Sequence, residues 1–431
     1  MLKVFEAFSG VGAQRMALRN LGVEHEIVGV SEIDIPAINS YAAIHEDLLG
    51  NDAFNYPSKE EMIEYLASKN IGLDVKTGKV KLPKQIDKLQ LLYKASVLSK
   101  CVGDISIIDP RDLPDMDLFT YSFPCQDLSV AGQRAGMIKG QTRSGLLYEC
   151  EKIIEAKRPK YLLLENVKNL VGKNFKPKFE EWLAYLESLG YTNYWQVLNA
   201  KDYGVPQNRE RVFVVSILGE HDTYSFPQKQ ELNRVLRDVL DVEVDEKYYI
   251  NKPFKLVEQK NVKAEFIEGD YDQNKRIYGE NAIAPTLNTM GGGQREPKIL
   301  IEPVTKVDTY LSQVKTLIHE ADEGAPVSGV DKSINQPQLI QVANCLTARE
   351  DRGISNHRQE GTAIAHNNPF RVRKLTPLEC WRLMGFNDDD FNKAKSAGTS
   401  NSQLYKQAGN SIVVPVLEGI FEPLINNAKE R

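Results

Sequence analysis

Short apolar runs alternate with helical patterns through the first half of the chain. Five runs rich in Val, Ile, Leu and Phe, each bounded by turn residues, predict buried β-strands; they read LKVFEAF, EIVGVSE, DLFTYSF, KYLLLE and RVFVVSI. Between several of them, apolar residues recur at helical spacing, as in SGLLYECEKIIEA and KPKFEEWLAYLESLG. Buried strands that alternate with helices predict an α/β domain whose mostly parallel sheet is covered by helices on both faces.

One segment, residues 46–100, interrupts this alternation. Two helical patterns, Lys59–Lys69 and Lys84–Ser99, are joined by a turn region that contains Gly, Lys and Thr. We interpret the segment as an insertion between the second and third strands. Surface decoration and DNA contact are both open as its role.

The regular alternation ends after the fifth strand-like run. Gly291–Gly293 and short strand-like pieces such as ILIEP and QLIQVA follow, separated by loops. This change predicts a smaller, irregular second domain over residues 226–402. A last helix, about Tyr405–Asn426, has an apolar spacing suited to packing on the first domain. Residues 403–431 are therefore expected to return to the domain formed by residues 1–225.

The composition is typical of a globular protein, and we expect the chain to stay in the cytoplasm. Of the 431 residues, 42% are hydrophobic and 26% are charged. There is no run of about 18 apolar residues, so no membrane helix is expected. The start, MLKVFEAFSGVG, lacks the basic stretch and the cleavage site of a signal peptide. The five cysteines are odd in number and show no Cys-x-x-Cys spacing, which predicts neither a disulfide framework nor a zinc site.

The formal net charge of −5 argues mildly against nucleic-acid binding, for which basic domains are usual. Residues 347–374 depart from this average, because six Arg and Lys residues stand there against three Asp and Glu residues. A solvated loop with scattered charges and a loop that contacts nucleic acid both explain this basic stretch.

The residues that follow the first two strands suit a nucleoside ligand. The sequence FSGVG, residues 8–12, lies between a strand and a helix, where glycines let the backbone approach a ligand closely. A dinucleotide fingerprint would need glycine where Arg15 stands, so NAD fits poorly. Glu32, in the sequence SEID, suits the two ribose hydroxyls of an adenosyl group. Asp104, in GDI, is placed to accept a hydrogen bond from an adenine amino group, although a helix N-cap role explains it as well.

A cysteine, a glutamate and two arginines fall near the ends of later strands. Cys125, in the sequence SFPCQ, follows the strand DLFTY at the edge where parallel sheets bind ligands. A helix that starts just after it would favour the thiolate. Glu165 ends the strand KYLLL at the same edge. Arg209 and Arg211 are two residues apart, so an extended chain points both to one face. Paired arginines can hold a phosphate or a carbonyl oxygen, and a solvent-exposed rim is the alternative.

The motifs taken together resemble the DNA cytosine-5 methyltransferase family, of the bacterial restriction–modification type. They occur in the family's order and read FSGVG, SEID, GDI, SFPCQ, ENV, QNRER, RKLTPLECWRLMGF and AGNS. One motif alone is weak, but eight in order are specific. Residues 226–370 lie where the family has its variable target-recognition domain. The resemblance implies a Rossmann-like, mixed but mostly parallel sheet with helices on both faces, plus that smaller domain.

The resemblance also implies a reaction. A methyl group would pass from S-adenosylmethionine to carbon 5 of a cytosine that is flipped out of double-stranded DNA. Cys125 would add to carbon 6 of the base, and Glu165 would supply or share a proton at N3. Arg209 would orient the base, and Arg211 would brace the site.

The cofactor would be bound by a set of residues drawn from five of the motifs. This set is Phe8, Gly10, Gly12, Glu32, Ile33, Asp104, Ile105, Pro124 and Asn410. The candidates for contact with DNA are Gln126, Arg295, Arg349, Arg352 and Arg358. Three positions depart from residues common in the family: Ser122 where Gly is frequent, Ile33 where a larger side chain is frequent, and Asn387 where Pro is frequent.

Other functions explain the motifs less completely. A zinc deaminase needs Pro-Cys-x-x-Cys, and Leu128 takes the place of its second cysteine. An RNA cytosine-5 methyltransferase is the nearest alternative, but it would not be expected to have a large variable domain. A non-catalytic DNA-binding protein on the same fold is a further alternative. We expect a monomer with no metal.

Overall fold

The structure is a computed structural model that describes residues 1–50, 53–123, 143–257, 259–267, 272–290, 295–301 and 370–429. Six of the predicted site residues lie outside the described residues, namely Pro124, Cys125, Gln126, Arg349, Arg352 and Arg358.

Strands and helices alternate through the first 220 residues, as predicted. In the described part of the chain, the strands are β1 (Leu2–Ala7), β2 (His25–Ser31), β3 (Leu73–Asp74), β4 (Lys79–Val80), β5 (Leu118–Tyr121), β6 (Tyr161–Val167), β7 (Tyr191–Asn199), β8 (Glu210–Leu218), β9 (Phe254–Leu256), β10 (Val262–Phe266), β11 (Arg276–Gly279), β12 (Lys298–Ile301) and β13 (Arg371–Lys374). The α-helices there are α1 (Ala13–Asn20), α2 (Ile35–His45), α3 (Lys59–Ser68), α4 (Ile86–Leu98), α5 (Leu147–Lys157), α6 (Lys176–Ser188), α7 (Asp272–Lys275), α8 (Pro377–Arg382), α9 (Asp388–Ser396), α10 (Asn401–Asn410) and α11 (Val414–Lys429).

A six-stranded sheet forms the centre of the larger part of the fold, in the order β2-β1-β5-β6-β8-β7. Strands β2, β1, β5 and β6 are parallel neighbours. Strand β8 runs antiparallel to β6 and to the edge strand β7. The carboxyl ends of the parallel strands therefore meet at one edge, where an open α/β sheet binds its ligands.

Both faces of this sheet are covered by helices, because successive strand residues point to opposite sides. Val4 of β1 lies in one hydrophobic cluster with residues of α1, α2 and α11. Its neighbour Phe5 lies in a second cluster with residues of α5 and α6. The expected mixed, mostly parallel sheet with helices on both faces is confirmed.

The predicted insertion contains the two expected helices and a short hairpin between them. Helix α3 begins after Ser58, whose hydroxyl caps the backbone N–H of Glu61 while the Glu61 side chain caps Ser58 in return. The hairpin pairs β3 with β4, and α4 then packs against α2.

A second sheet, in the order β13-β12-β11-β10-β9, has its own small core around Phe266, Ile277 and Val372. The helices that follow it do not join that core. Side chains of α8 and α9, such as Trp381 and Phe391, are buried in the larger cluster of the first sheet. The last helices of the predicted second domain, α8 and α9, therefore pack with the first sheet.

The end of the chain contains two helices where one was predicted. Helix α10 ends at Asn410, and α11 begins at Val414. Within the described residues, the stretch Asn401–Ile425 is long and apolar enough to cross a membrane by length and composition alone. Of its most apolar window, 61% is buried inside the protein, so we interpret it as part of the core.

Candidate active site

A cavity of about 360 Å³ lies at the carboxyl ends of β1, β2, β5 and β6. Its volume is in the range of small-molecule sites. The cavity brings together ten of the predicted residues, which are Phe8, Gly10, Glu32, Ile33, Asp104, Ile105, Glu165, Arg209, Arg211 and Asn410. Two other predicted residues that the structure describes, Gly12 and Arg295, are not part of its lining. Arg295 is exposed just before β12.

The two glycines of the first turn have different roles. Gly10 lines the cavity with φ of +54°, a conformation that L side chains rarely adopt, and its N–H donates to Glu32 Oε2 at 3.1 Å. Gly12 instead faces helix α2, where a Cβ atom would lie 2.4 Å from His45 Nε2. Gly12 therefore allows close packing of the first turn against α2.

Two carboxylates present acceptor atoms to the cavity. Glu32 Oε1 accepts hydrogen bonds from the backbone N–H groups of Ile33 and Asp34, at 2.8 and 2.9 Å. Burial raises the pKa of Glu32, and the neighbouring Asp34 carboxylate adds to this, while the backbone N–H groups oppose it. Asp104 Oδ1 accepts from the Ser106 N–H and hydroxyl, at 3.0 and 2.8 Å. Each carboxylate oxygen has two lone pairs, so both side chains keep capacity for a ligand.

Glu165 and Arg211 form an ion pair at another part of the same cavity. Arg211 Nε lies 3.1 Å from Glu165 Oε1, and both side chains are largely buried. The pair follows from strand register, because Val167 lies opposite Arg211 and Glu165 is two residues along on the same face. Burial raises the pKa of Glu165; the charges of Arg211 and Arg209, and a hydrogen bond from Ser122, act in the opposite direction.

A hydrogen bond connects the strand of Glu165 to Phe123, the last described residue of the SFPCQ motif. Asn166 Nδ2 donates to the carbonyl oxygen of Phe123 at 3.0 Å, and both residues are buried. Phe123 is the last described residue before Pro124 and Cys125. The ENV motif therefore holds Phe123, two residues before Cys125 in the sequence.

Arg209 is buried, with 3% of its surface exposed, and joins distant parts of the chain. Its guanidinium donates to the carbonyl oxygens of Leu287, Gly409 and Ser411, at 2.8, 2.9 and 2.8 Å. Gln207, from the same motif, donates to the Leu383 carbonyl at 2.7 Å. The QNRER motif thus connects the first sheet to later segments of the chain.

The last motif, AGNS, is explained by close packing. A Cβ atom on Gly409 would lie 2.0 Å from the Asn288 carbonyl oxygen, so only glycine fits at this position. This contact places Asn410 at the rim of the cavity.

Sequence reasoning missed several residues of the site. Lys406 lines the cavity and forms an ion pair with Asp34, which also lines it, at 2.9 Å. A signal for it existed, because Lys406 is four residues before Asn410 on one helix and so shares its face. Val75 of the insertion also lines the cavity. No local pattern in the sequence points to that valine.

The described cysteines are poor nucleophiles. Cys101, Cys150 and Cys380 are fully buried, and burial raises the pKa of each thiol, to about 11 for Cys101. Within the part of the chain that the structure describes, no three His, Cys, Asp or Glu side chains are close enough together to hold a metal ion.

Comparison with known proteins shows which family the chain belongs to. A family model described as C-5 cytosine-specific DNA methylase matches residues 57–426. The Type II methyltransferase M2.ScrFI of Lactococcus lactis subsp. cremoris is 43% identical over 430 residues, which is 99% of this chain and 100% of the relative. The orphan methyltransferase M.SPBetaI of Bacillus phage SPbeta is 33% identical and covers 99% of this chain and 98% of its own length.

A solved structure also shares the fold. The S. pombe Dnmt2 methyltransferase aligns over 99% of both chains, with a TM-score of 0.57 and 16% sequence identity.

The family match and the relatives thus define an enzyme of methyl transfer. The chain belongs to the C-5 cytosine-specific DNA methylase family and is a DNA (cytosine-5-)-methyltransferase of the restriction–modification type, as its motifs predict.

Proposed function

We propose that the protein transfers the methyl group of S-adenosylmethionine to carbon 5 of a cytosine flipped out of double-stranded DNA. One observation carries the proposal: a single cavity contains both the carboxylates of Glu32 and Asp104 and the ion pair of Glu165 with Arg211. Glu165 is only 8% exposed, so a base within a duplex cannot reach it without leaving the stack.

The residues of the cavity fit an adenosyl group. Glu32 offers acceptors to ribose hydroxyls, and Asp104 offers one to an adenine amino group. The apolar side chains of Ile33 and Ile105, beside these carboxylates, suit the adenine faces. Asn410 completes the set at the rim. When bound, the cofactor supplies an electrophilic methyl group.

The chain's own residues prepare the cytosine for that methyl group. The Cys125 thiolate forms a bond to carbon 6, and the electrons of the carbon 5–carbon 6 double bond become available at carbon 5. Glu165 in its acid form stabilises the charge that develops at N3 by sharing its proton there. After carbon 5 takes the methyl group, loss of its proton and release of Cys125 restore the aromatic base.

The geometry favours exchanging the two predicted arginine roles. All three described bonds of the Arg209 guanidinium run to backbone carbonyls, which suits a brace. Arg211 lies beside Glu165 in the cavity and suits contact with the cytosine carbonyl oxygen. We therefore propose that Arg211 orients the base and Arg209 braces the site.

Paired substitutions separate these roles. Arg211→Gln should lower the single-turnover methylation rate by about 10²-fold with little change in unfolding free energy, since a side chain aimed at the reacting base is lost. Arg209→Gln should lower the free energy of unfolding by about 3 kcal/mol, because buried carbonyls lose their donor. Rapid-quench kinetics and urea unfolding measure the two quantities. The exchange is wrong if Arg209→Gln unfolds like the wild type and loses only methylation.

We further propose that the enzyme acts in the cytoplasm, as a monomer, and modifies DNA within a restriction–modification system. The similarity to M2.ScrFI, a Type II methyltransferase, supports that role. Residues 226–370 would recognise the target sequence, with Arg295, Arg349, Arg352 and Arg358 as candidate contacts. Gln126, next to the nucleophile, would contact DNA at the flipped base.

The test is to incubate the purified protein with unmethylated duplex DNA and S-adenosylmethionine labelled in its methyl group. Digestion of the DNA should place the label in 5-methylcytosine, and Glu32→Ala should remove it. Label that enters RNA but not DNA would make RNA the substrate. No label in either, with cofactor binding demonstrated, would leave a non-catalytic DNA-binding role.

A further inference from the structure

The insertion between β2 and the Gly103-Asp104 loop touches the cofactor cavity directly. Among the residues that line the cavity is Val75, at the turn of the β3–β4 hairpin. Val75 is 52% exposed although it is a branched apolar residue. Its exposed surface faces a cavity that the proposed function fills with an adenosyl group.

Four hydrogen bonds attach the insertion to the two loops that carry the cofactor carboxylates. Gly72 N–H donates to the Ile33 carbonyl at 2.8 Å, beside Glu32. On the other side, Asp104 N–H donates to the Lys69 carbonyl at 2.9 Å, and Lys69 Nζ donates to the Cys101 carbonyl at 2.8 Å. The fourth bond, from Asn70 Nδ2 to Asp104 Oδ2 at 3.0 Å, reaches the carboxylate itself.

The insertion packs so closely against the Gly103-Asp104 loop that only glycine fits at position 103. A Cβ atom on Gly103 would lie 2.0 Å from the Lys69 carbonyl oxygen, and Gly103 has a φ of +81°. The hairpin is also held in shape, because Asp74 accepts from the Lys76 N–H at 3.0 Å and pairs with Lys81 at 2.6 Å. The Lys81 ammonium lowers the pKa of Asp74 to about 2, so the carboxylate stays ionised. The insertion is therefore packed closely against the cofactor site, and its hairpin has a fixed shape there.

We propose that residues 69–75 form the outer wall of the adenine end of the cofactor site. Asn70 is a positioning residue that holds the Asp104 carboxylate toward the amino group of the base. Val75 contacts the base itself and adds apolar surface where Ile33 is smaller than the side chain common in the family. This inference rests on the proposed function and assigns the insertion to cofactor recognition rather than to decoration or DNA contact.

Asn70→Gly tests the positioning role with little disturbance of the backbone. Asn70 has a φ of +53°, which glycine adopts freely, so the variant removes only the amide. The dissociation constant for S-adenosylhomocysteine, measured by calorimetry on the full chain, should rise about five- to tenfold. The dissociation constant for S-inosylhomocysteine, which lacks the amino group, should change less, so the preference for adenine should shrink. Equal loss for both ligands would make Asn70 merely structural and overturn its role.

Val75→Ser tests the apolar contact. The dissociation constants of both ligands should rise alike, by about threefold, because serine buries less apolar surface against the base than valine does. Two exposed insertion residues outside the cavity lining serve as matched controls: Val97→Ser for the valine and Asn55→Gly for the asparagine. Neither control should change binding. Thermal unfolding of each variant verifies that it is folded.

Glu32→Gln separates this inference from the proposed function. Suppose that Glu32→Gln weakens the binding of S-adenosylhomocysteine while Asn70→Gly and Val75→Ser bind it like the wild type. In that case the insertion has no part in cofactor recognition, and the inference is overturned while the proposed function stands. If the wild type itself does not bind, the proposed function is overturned, and the inference with it.

Discussion

Glu165→Gln should slow methyl transfer by about 10²- to 10⁴-fold while DNA affinity stays within a small factor of the wild type. Glutamine keeps the shape of the side chain and can still lie beside Arg211, but it cannot supply a proton to N3. Single-turnover rates and DNA dissociation constants measure the two effects. Glu180→Gln, an exposed helix residue, is the matched control and should change neither. Equal losses of rate and DNA affinity would mean that Glu165 is structural.

The same residue should set an arm of the pH profile. Burial raises the pKa of Glu165, so the acid form persists to higher pH than for an ordinary glutamate. On the high-pH side of the profile, the single-turnover rate should fall as the pH rises through this pKa, because the acid form of Glu165 is lost. Arg211 lowers the pKa, so Arg211→Gln should shift the fall to higher pH. In Glu165→Gln the fall should disappear.

Cys125→Ser should reduce methyl transfer by a factor on the order of 10⁴ or more and leave cofactor binding unchanged. A serine hydroxyl ionises far less readily than a thiol, so it adds poorly to carbon 6. DNA that contains 5-fluorocytosine gives a sharper test, because carbon 5 then carries no proton to lose and Cys125 cannot be released. The wild type should form a protein–DNA complex that survives denaturation, and Cys125→Ser should not.

The control for this experiment is a buried cysteine. Cys150→Ala should lower thermal stability, because it opens space in the core beside α5, but should keep both methylation and the trapped complex. A trapped complex with Cys125→Ser, or near-normal methylation by it, would place the nucleophile elsewhere in the chain.

The main strands and helices could be predicted because each has its own pattern of apolar residues within a short stretch of sequence. The five apolar runs became β1, β2, β5, β6 and β8, and the two helical patterns of the insertion became α3 and α4. The edge strand β7 was missed, because exposed residues such as Trp195 break its apolar pattern. The antiparallel direction of β8 also has no local signal, since the residue pattern of a buried strand is the same in parallel and antiparallel pairing.

The site residues at the ends of strands could be predicted from the sequence. The contacts between segments that are far apart in the sequence could not. The alternation of side chains places Arg209 and Arg211 on one face but does not say which of them meets the carbonyls of Leu287 and Gly409. The contact of Asn70 with Asp104 spans 34 residues and leaves no spacing rule in the sequence. The break of the last helix after Asn410 was missed although Pro415 signals it, since proline is tolerated in the first turn of a helix and not in its interior, and α11 begins at Val414.

The three hydrogen bonds of Arg209 have a thermodynamic consequence. They bind one side chain to Leu287, in the region proposed to recognise DNA, and to Gly409, whose neighbour Asn410 faces the cofactor cavity. A ligand that moves the segment of Leu287 or the segment of Gly409 also affects the other segment through Arg209. Such linkage between two binding sites is reciprocal for equilibrium affinities. The affinity for the methyl donor should therefore depend on whether the double helix is bound, and the affinity for the double helix should change by the same factor when the donor is bound.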